Sequence, residues 1–130
     1  MLGVIILKLS NERLVNSVGV LSKLTNLELP VKLSYAFSKN ITKIDAELKA
    51  YNMEREKLLN KYGEKDEEGK LKLSEKGEVN ILDRENFNKD VAELLKCESE
   101  IDIHLIDLES IDTDIKITPG ELMIIDYMFK

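Results

Sequence analysis

The chain has 130 residues, which fits one domain, and its 43% hydrophobic content excludes an intrinsically disordered protein. Residues 1–62 carry 10 basic and 6 acidic side chains, residues 63–130 carry 9 and 19, and the net charge is −6. This balance disfavours extended nucleic acid and fits charged partners or subunits that meet head to tail.

The cysteine content and the hydropathy pattern indicate the cellular compartment of the protein. A single cysteine, Cys97, excludes an internal disulfide and favours a reducing environment. The apolar start of the chain has neither the basic region nor the cleavage site of a signal peptide. No apolar run approaches the roughly 20 residues that a membrane span requires. We therefore expect a cytoplasmic protein that does not associate with membranes.

Two elements are expected before the first proline. Gly3–Lys8 is apolar and short, and predicts a strand or an extended arm. Ser10 is a good N-cap for a helix that begins at Asn11 and carries apolar residues at helical spacing. This helix must end before Pro30, because the residue that precedes a proline avoids helical dihedral angles.

A longer helix is expected from about Val31 to Tyr62, with Gly63 as its stop signal. It carries an apolar stripe at alternating spacings of three and four residues, which is typical of coiled coils. At 1.5 Å per residue the helix is roughly 45 Å long, more than the preceding helix covers, so we predict a homo-oligomer. The predicted interface residues are Ile41, Ile44, Leu48, Tyr51 and Leu58.

The second half alternates strands and helices. Residues 65–69 predict a turn, and residues 70–82 predict a β-hairpin. Asp83 is an expected N-cap for a helix through about Lys96. Alternation at Glu100–Leu105 predicts another strand, and Asp114–Ile117 predicts a further short one.

The end of the chain carries the clearest local signal. Thr118 and Glu121 have the spacing of a capping box, with Pro119 at the first helical position. We expect a C-terminal helix over residues 119–129 that docks onto the body or onto another subunit. The whole predicts one α+β domain: a long helical hairpin (11–62), a small antiparallel β-sheet with a helix (70–117), and the C-terminal helix.

Residues that usually carry catalysis or bind metals are scarce. Cys97 and His104 are the only cysteine and histidine, so one chain does not supply a zinc site. His104 lies among Asp102, Asp107 and Glu109, a poor setting for a neutral general base, and we expect it on a strand surface. Cys97 is expected in the core. Glycine-rich phosphate motifs are absent. We expect no enzyme activity, no metal and no cofactor.

One basic segment is a candidate binding site. No acidic residue occurs between Val31 and Ile44, and three lysines and a tyrosine share one face of the expected long helix near its N-terminus, where the helix dipole favours anions. The predicted ligand-binding residues are Arg13, Lys32, Tyr35, Lys39, Asn40 and Lys43, with Tyr35 as a stacking platform for a phosphorylated molecule. An ordinary solvated helix face gives the same pattern, so both interpretations stay open.

Several segments resemble a family of small phage and prophage proteins from Gram-positive bacteria. They are Asn26–Tyr35, Lys39–Ile41, Glu54–Gly69, Ser99–Ile103 and Ile117–Leu122. The family has no known function, so the resemblance implies no catalytic residue. It implies a phage-encoded accessory protein in the bacterial cytoplasm, and such proteins often counter host defence or assist virion assembly.

These observations predict a non-enzymatic binding protein. The favoured hypothesis is an oligomeric anti-defence protein that sequesters a host immune factor, such as a nucleotide-derived signal. One alternative is an accessory protein for tail or capsid assembly. Another is an inhibitor that binds a basic host defence protein through the acidic segment Glu98–Asp114, which holds seven acidic residues and no basic one.

Overall fold

A computed structural model describes residues 3–110 and 115–130, and it shows the expected mixed α+β architecture. The elements are β1 (Val4–Ser10), α1 (Asn11–Thr25), α2 (Val31–Tyr62), α3 (Arg84–Lys96), β2 (Glu98–His104) and α4 (Pro119–Ile124). Short 3-10 turns lie at Leu108–Ser110 and Asp126–Met128. Within the described ranges, no helix combines the length and the apolar character that crossing a membrane demands.

The helix boundaries follow local capping chemistry. The Ser10 hydroxyl accepts a hydrogen bond from the Arg13 N–H at 3.1 Å, which confirms the expected start of α1. Asp83 caps α3 in the same way, by accepting from the Asn86 N–H at 3.1 Å. The bounds of α2 are those expected from the sequence.

Gly63 ends α2 for a different reason from the one expected. A glycine at this position often adopts a left-handed conformation, but among the described residues only Gly69 and Gly77 have positive φ angles. The Gly63 N–H instead continues the helical pattern by donating to the Leu59 carbonyl at 2.8 Å. A Cβ at Gly63 would lie 2.5 Å from the Leu59 carbonyl oxygen and 2.7 Å from a methyl group of Leu71 and of Val79. The close approach of these atoms, and not a left-handed backbone conformation, requires the glycine here.

The chain forms two compact units. Unit 1 comprises Met1–Leu48 and Glu98–Lys130, and unit 2 comprises Lys49–Cys97. Unit 1 therefore contains both strands, α1, α4 and the first part of α2. Unit 2 contains the rest of α2, the turns that follow it and α3.

Unit 1 is built on a two-stranded antiparallel sheet. Strands β1 and β2 pair along their whole lengths, and Leu7 lies opposite Ile101. Side chains of one sheet face enter an aliphatic core together with those of α1 and α2. The fully buried or nearly buried members include Leu9, Leu14, Leu21, Leu24, Leu33, Phe37, Ile44, Ile101, Ile103, Ile106, Ile125 and Met128.

The strands differ slightly from the predicted ones. β1 extends to Ser10, beyond the expected end at Lys8, and β2 occupies Glu98–His104, so that Leu105 lies just past its end. The strand expected at 114–117 lies partly outside the described residues, because Asp114 is not among them. Its described part, residues 115–117, is not a strand.

The C-terminal helix is confirmed in its start and corrected in its length. The capping box forms: Thr118 and Glu121 bond reciprocally through side chains and backbone N–H groups. The helix ends at Ile124, not at residue 129 as expected. Beyond it, the backbone turns to pair with Ile106, which donates to the Met128 carbonyl at 2.8 Å and accepts from the Lys130 N–H at 2.9 Å. The N–H groups of Met128 and Phe129 donate to Ile125 and Asp126 in the pattern of a 3-10 turn, which replaces the last turns of the expected helix.

In unit 2 the expected hairpin forms at its closing end, where Leu73 pairs with Val79 across the turn at Gly77, and a third segment joins it. Isolated antiparallel bridges join Leu73 to Val79, Lys65 to Leu71 and Gly63 to Ile81, so three short segments each pair with the other two. Two tight turns connect them, at Gly69 (φ 81°) and Gly77 (φ 76°). The positive φ angles explain why glycine occupies both turns.

Candidate functional site

The first part of α2 carries an exposed basic face in unit 1. Lys32 and Lys39 are exposed, Lys43 is half-buried, and Tyr35 as a whole residue is 60% exposed. The Lys39 ammonium lies 5.4 Å from the centre of the Tyr35 ring, a cation–π contact that fixes the two side chains together. We refer to Lys32, Tyr35, Lys39 and Lys43 as the basic face of α2.

The charges of this face are not neutralised by nearby carboxylates. The first turn of α2 contains no acidic residue. Within the described part of the chain, none of the three lysines makes an ion pair, whereas Lys23, Lys57, Lys61, Lys70 and Lys72 all do. The basic face therefore presents two exposed lysines, the half-buried Lys43 and an accessible aromatic ring.

Asn40 does not belong to this face, which corrects its assignment as a ligand-binding residue. Its side chain is fully buried. The Asn40 Nδ2 donates to the His104 carbonyl at 3.0 Å, and the His104 N–H donates to the Asn40 Oδ1 at 2.7 Å. Both ends of the amide are thus used to hold β2, and neither reaches solvent.

Arg13 is also engaged elsewhere. Its guanidinium forms an ion pair with Asp126. The same group lies 5.1 Å above the centre of the Tyr127 ring. Arg13 therefore holds the C-terminal segment against α1, and its role as a ligand-binding residue is not supported.

The apolar stripe of α2 is mostly covered by the chain itself. Ile44 is fully buried, and Leu48 and Tyr51 are only 9% and 7% exposed. Ile41 and Leu58 are half-buried. The assignment of Ile44, Leu48 and Tyr51 to an oligomer interface is corrected, because periodicity identified a buried face but not what buries it.

Three titratable side chains of unit 2, those of Lys61, Tyr62 and Asp90, lie in mutual contact. The Tyr62 hydroxyl donates to the Asp90 carboxylate at 2.6 Å, and this bond raises the pKa of Tyr62. The Lys61 ammonium lies 5.0 Å from the centre of the Tyr62 ring, and the neighbouring Tyr62 hydroxyl raises the pKa of Lys61. The Phe87 ring meets Tyr62 edge-on with centroids 6.1 Å apart. These contacts fasten α3 to the end of α2, which gives the group a structural role.

The candidate nucleophile and metal ligands do not converge. Cys97 is exposed at the end of α3, not in the core as expected. His104 ends β2 and is half-buried. Over residues 3–110 and 115–130, no three His, Cys, Asp or Glu side chains cluster as a metal site would require.

The outer face of the sheet was not recognised from the sequence. Because Ile101 and Ile103 point into the core, Glu98, Glu100 and Asp102 form a row on the opposite, exposed face. Exposed Val4 and Ile6 of β1 lie beside this row. The alternation in both strands predicted two faces, but only the structure pairs the strands and shows which edge has no strand partner among residues 3–110 and 115–130.

Comparison with known proteins adds no further assignment: no family model matches the chain, and neither curated proteins nor solved structures yield a match.

Proposed function

We propose that this chain is a non-enzymatic binding protein that captures a phosphorylated small molecule on the basic face of α2. The observation that carries this proposal is the stacked pair of Lys39 and exposed Tyr35, flanked by Lys32 and free of carboxylate partners. A solvated anion gains most from cations that are not already paired with protein carboxylates.

The chemistry of the face suits a ligand that combines phosphate with a planar ring. Each lysine that reaches a phosphate contributes on the order of 1.5–3 kcal/mol through a charged hydrogen bond. One side of the Tyr35 ring contacts Lys39, and its 60% exposure leaves area for stacking. Stacking of a base on an aromatic side chain is worth about 1–3 kcal/mol. A nucleotide-derived molecule meets both requirements.

The biological setting of this proposal comes from the resemblance to small phage proteins. In that setting the chain is an anti-defence protein in the bacterial cytoplasm that sequesters a nucleotide-derived immune signal. Homo-oligomerisation belongs to the same proposal, although the buried stripe of α2 no longer supplies its interface.

The test is a double charge reversal, Lys32→Glu with Lys39→Glu. ATP is the probe, measured by isothermal titration, and native mass spectrometry of protein purified from bacteria reports any retained ligand. The reversal should abolish binding while circular dichroism stays unchanged, since Lys and Glu have similar helix propensities.

The matched control is Lys49→Glu with Lys89→Glu, which changes the net charge equally at two exposed helix positions. It should bind as the unmodified chain does. Equal loss in both double variants would mean that only overall charge matters. Full binding in the Lys32→Glu, Lys39→Glu variant would show that the basic face is not the site.

A further inference from the structure

The orientation of the β1 backbone follows from the bonds of Asn40. Because the His104 N–H and carbonyl both bond to Asn40, they point away from β1. His104 lies opposite Val4 in the register. In an antiparallel pair, such opposed residues direct their N–H and C=O groups outward on both strands. The backbone groups of Val4 therefore point away from β2.

The same alternation applies to the rest of β1. Gly3 accepts a hydrogen bond from the Leu105 N–H at 3.3 Å, so odd-numbered residues face β2. Ile6 and Lys8, like Val4, then direct their N–H and C=O groups to the other side. The sheet has two strands, and the described bridges outside it involve other residues, so no described segment pairs with this side.

The two outer edges of the sheet differ in whether a side chain bonds to their backbone groups. Asn40 occupies the edge of β2 at His104, where its amide substitutes for a neighbouring strand. On the β1 side, Val4 and Ile6 are 47% and 66% exposed, and even Ile5, on the opposite face, is 37% exposed. An exposed strand edge with apolar side chains is a template for pairing with another strand.

Charge indicates the kind of strand that fits. The outer face beside β1 carries Glu98, Glu100 and Asp102 against the single cation Lys8. A second copy of this chain would add a second acidic row to the same sheet. A basic strand would instead balance the charges that are present, since long Lys and Arg side chains can lie across Ile6 to reach the acidic row.

We propose that β1 accepts an extended, basic segment of a partner protein as a third, antiparallel strand. Up to about six backbone hydrogen bonds form, two at each of Val4, Ile6 and Lys8. The aliphatic stems of its basic residues lie across Val4 and Ile6 so that their charges reach the acidic row, and its apolar residues, on the other face, pack beside Ile5. This interaction is independent of the anion site on α2.

The test uses synthetic peptides of the length of β1 in which lysine and valine alternate. A second peptide has glutamate in place of lysine, and a third is the lysine peptide with its bonding amides N-methylated, which blocks strand pairing without altering the protein. Affinity is measured by fluorescence anisotropy, and backbone amide exchange of Val4, Ile6 and Lys8 is followed by NMR.

The lysine peptide should bind, slow the exchange of those three amides and weaken as salt is raised. The other two peptides should bind at least about tenfold more weakly. In the protein, Ile6→Pro should weaken binding of the lysine peptide by a similar factor. The substitution removes the outward-pointing N–H of residue 6 and leaves the hydrogen bonds between β1 and β2 intact. Ile6→Val, which keeps both the N–H and an apolar side chain, should bind nearly as well as the unmodified chain.

Three results would overturn the proposal. Equal binding of the glutamate peptide would remove the charge argument. If the N-methylated peptide binds as tightly as the lysine peptide, the contact does not lie at the edge of β1. The same conclusion follows if the Ile6→Pro variant binds the lysine peptide as tightly as the unmodified chain. Self-association of the protein that Ile6→Pro abolishes would identify a second copy as the occupant of β1.

Discussion

The side-chain amide of Asn40 bonds to both backbone groups of His104, with one bond of 3.0 Å and one of 2.7 Å. Asn40 lies on the buried side of α2, and its side chain has no exposed surface. Every buried side-chain nitrogen and oxygen in the described residues has a hydrogen-bond partner. This pair of bonds connects the long helix to the end of the sheet and closes the edge of β2 at that point.

Asn40→Ala should therefore destabilise the protein by about 2–4 kcal/mol. It removes two buried hydrogen bonds and leaves the N–H and carbonyl of His104 without partners, each of which costs about 1–3 kcal/mol. Urea unfolding monitored by circular dichroism measures the loss. The control Asn52→Ala, at an exposed position of the same helix, should change stability by less than about 0.5 kcal/mol. Equal stabilities of the two variants would contradict the role of Asn40.

Asn40 also shows where sequence reasoning fails. Its place in the sequence between Lys39 and Lys43 suggested a ligand-binding role, but successive residues of a helix point about 100° apart, so Asn40 faces inward while Lys39 faces solvent. A polar residue within a basic segment is expected at the surface. Only the arrival of β2, distant in the chain, supplies the backbone groups that make its burial favourable.

Local features, in contrast, were predictable because they depend only on residues close together in the sequence. The caps at Ser10, Asp83 and Thr118 depend on residues within three positions of each, so the sequence contains everything that determines them. The limits of α2 were predictable because Pro30 and Gly63 bracket it. What buries Ile44 and Leu48 was not predictable, because it depends on elements brought together by the fold.

Gly63 provides a second prediction, paired with Gly19. Gly63→Ala should destabilise unit 2 by about 1–3 kcal/mol, because its Cβ would meet the methyl groups of Leu71 and Val79 at 2.7 Å. Gly19→Ala, in the interior of α1 with nothing within 4 Å of the added Cβ, should stabilise by about 0.5–1 kcal/mol. Amide hydrogen exchange measured in each unit distinguishes destabilisation of unit 2 by Gly63→Ala from stabilisation of unit 1 by Gly19→Ala. A neutral Gly63→Ala would mean that the packing around it relaxes freely.

The capping box of α4 is a third test. Thr118→Ala removes the hydroxyl that accepts from the Glu121 N–H at 3.2 Å and should cost about 1 kcal/mol. Thr118→Ser retains the hydroxyl and should keep most of the stability. Thermal unfolding compares the variants. Identical melting curves for all three proteins would show that α4 contributes nothing to the cooperative unit.

The contacts of Glu121 predict that the stability of the protein falls at acidic pH. Its hydrogen bond from Lys23, at 2.8 Å, and then the bond from the Thr118 N–H hold the pKa of Glu121 below its ordinary value of 4.5. The folded state then binds fewer protons than the unfolded state, so this stabilisation is complete above that value and is lost as the pH falls through the folded pKa. Glu121→Gln should lose less stability than the unmodified chain between about pH 6 and about pH 3. Glu28→Gln, an exposed control, should follow the unmodified chain.

Tyr127 makes the corresponding prediction at alkaline pH. Its hydroxyl donates to the Ser17 Oγ at 2.8 Å, and Ser17 in turn donates to the Arg13 carbonyl at 2.8 Å. Burial raises the pKa of Tyr127 above its ordinary value of 10.0, so the folded state retains the phenolic proton more strongly than the unfolded state. This stabilisation is complete below that value and is lost as the pH rises through the folded pKa.

Tyr127→Phe should cost about 1 kcal/mol at neutral pH, because one hydrogen bond is lost while the ring remains beneath Arg13. The difference in free energy of unfolding between this variant and the unmodified chain should shrink as the pH rises above about 10. There the unfolded state loses the Tyr127 proton more readily than the folded state, which destabilises the unmodified chain. Urea unfolding at a series of pH values measures both effects. Tyr35→Phe, whose ring is 60% exposed, is the control and should match the unmodified chain throughout. A constant difference between Tyr127→Phe and the unmodified chain across this range would show that Tyr127 ionises alike in the folded and unfolded states, and that its burial against α1 does not persist in solution.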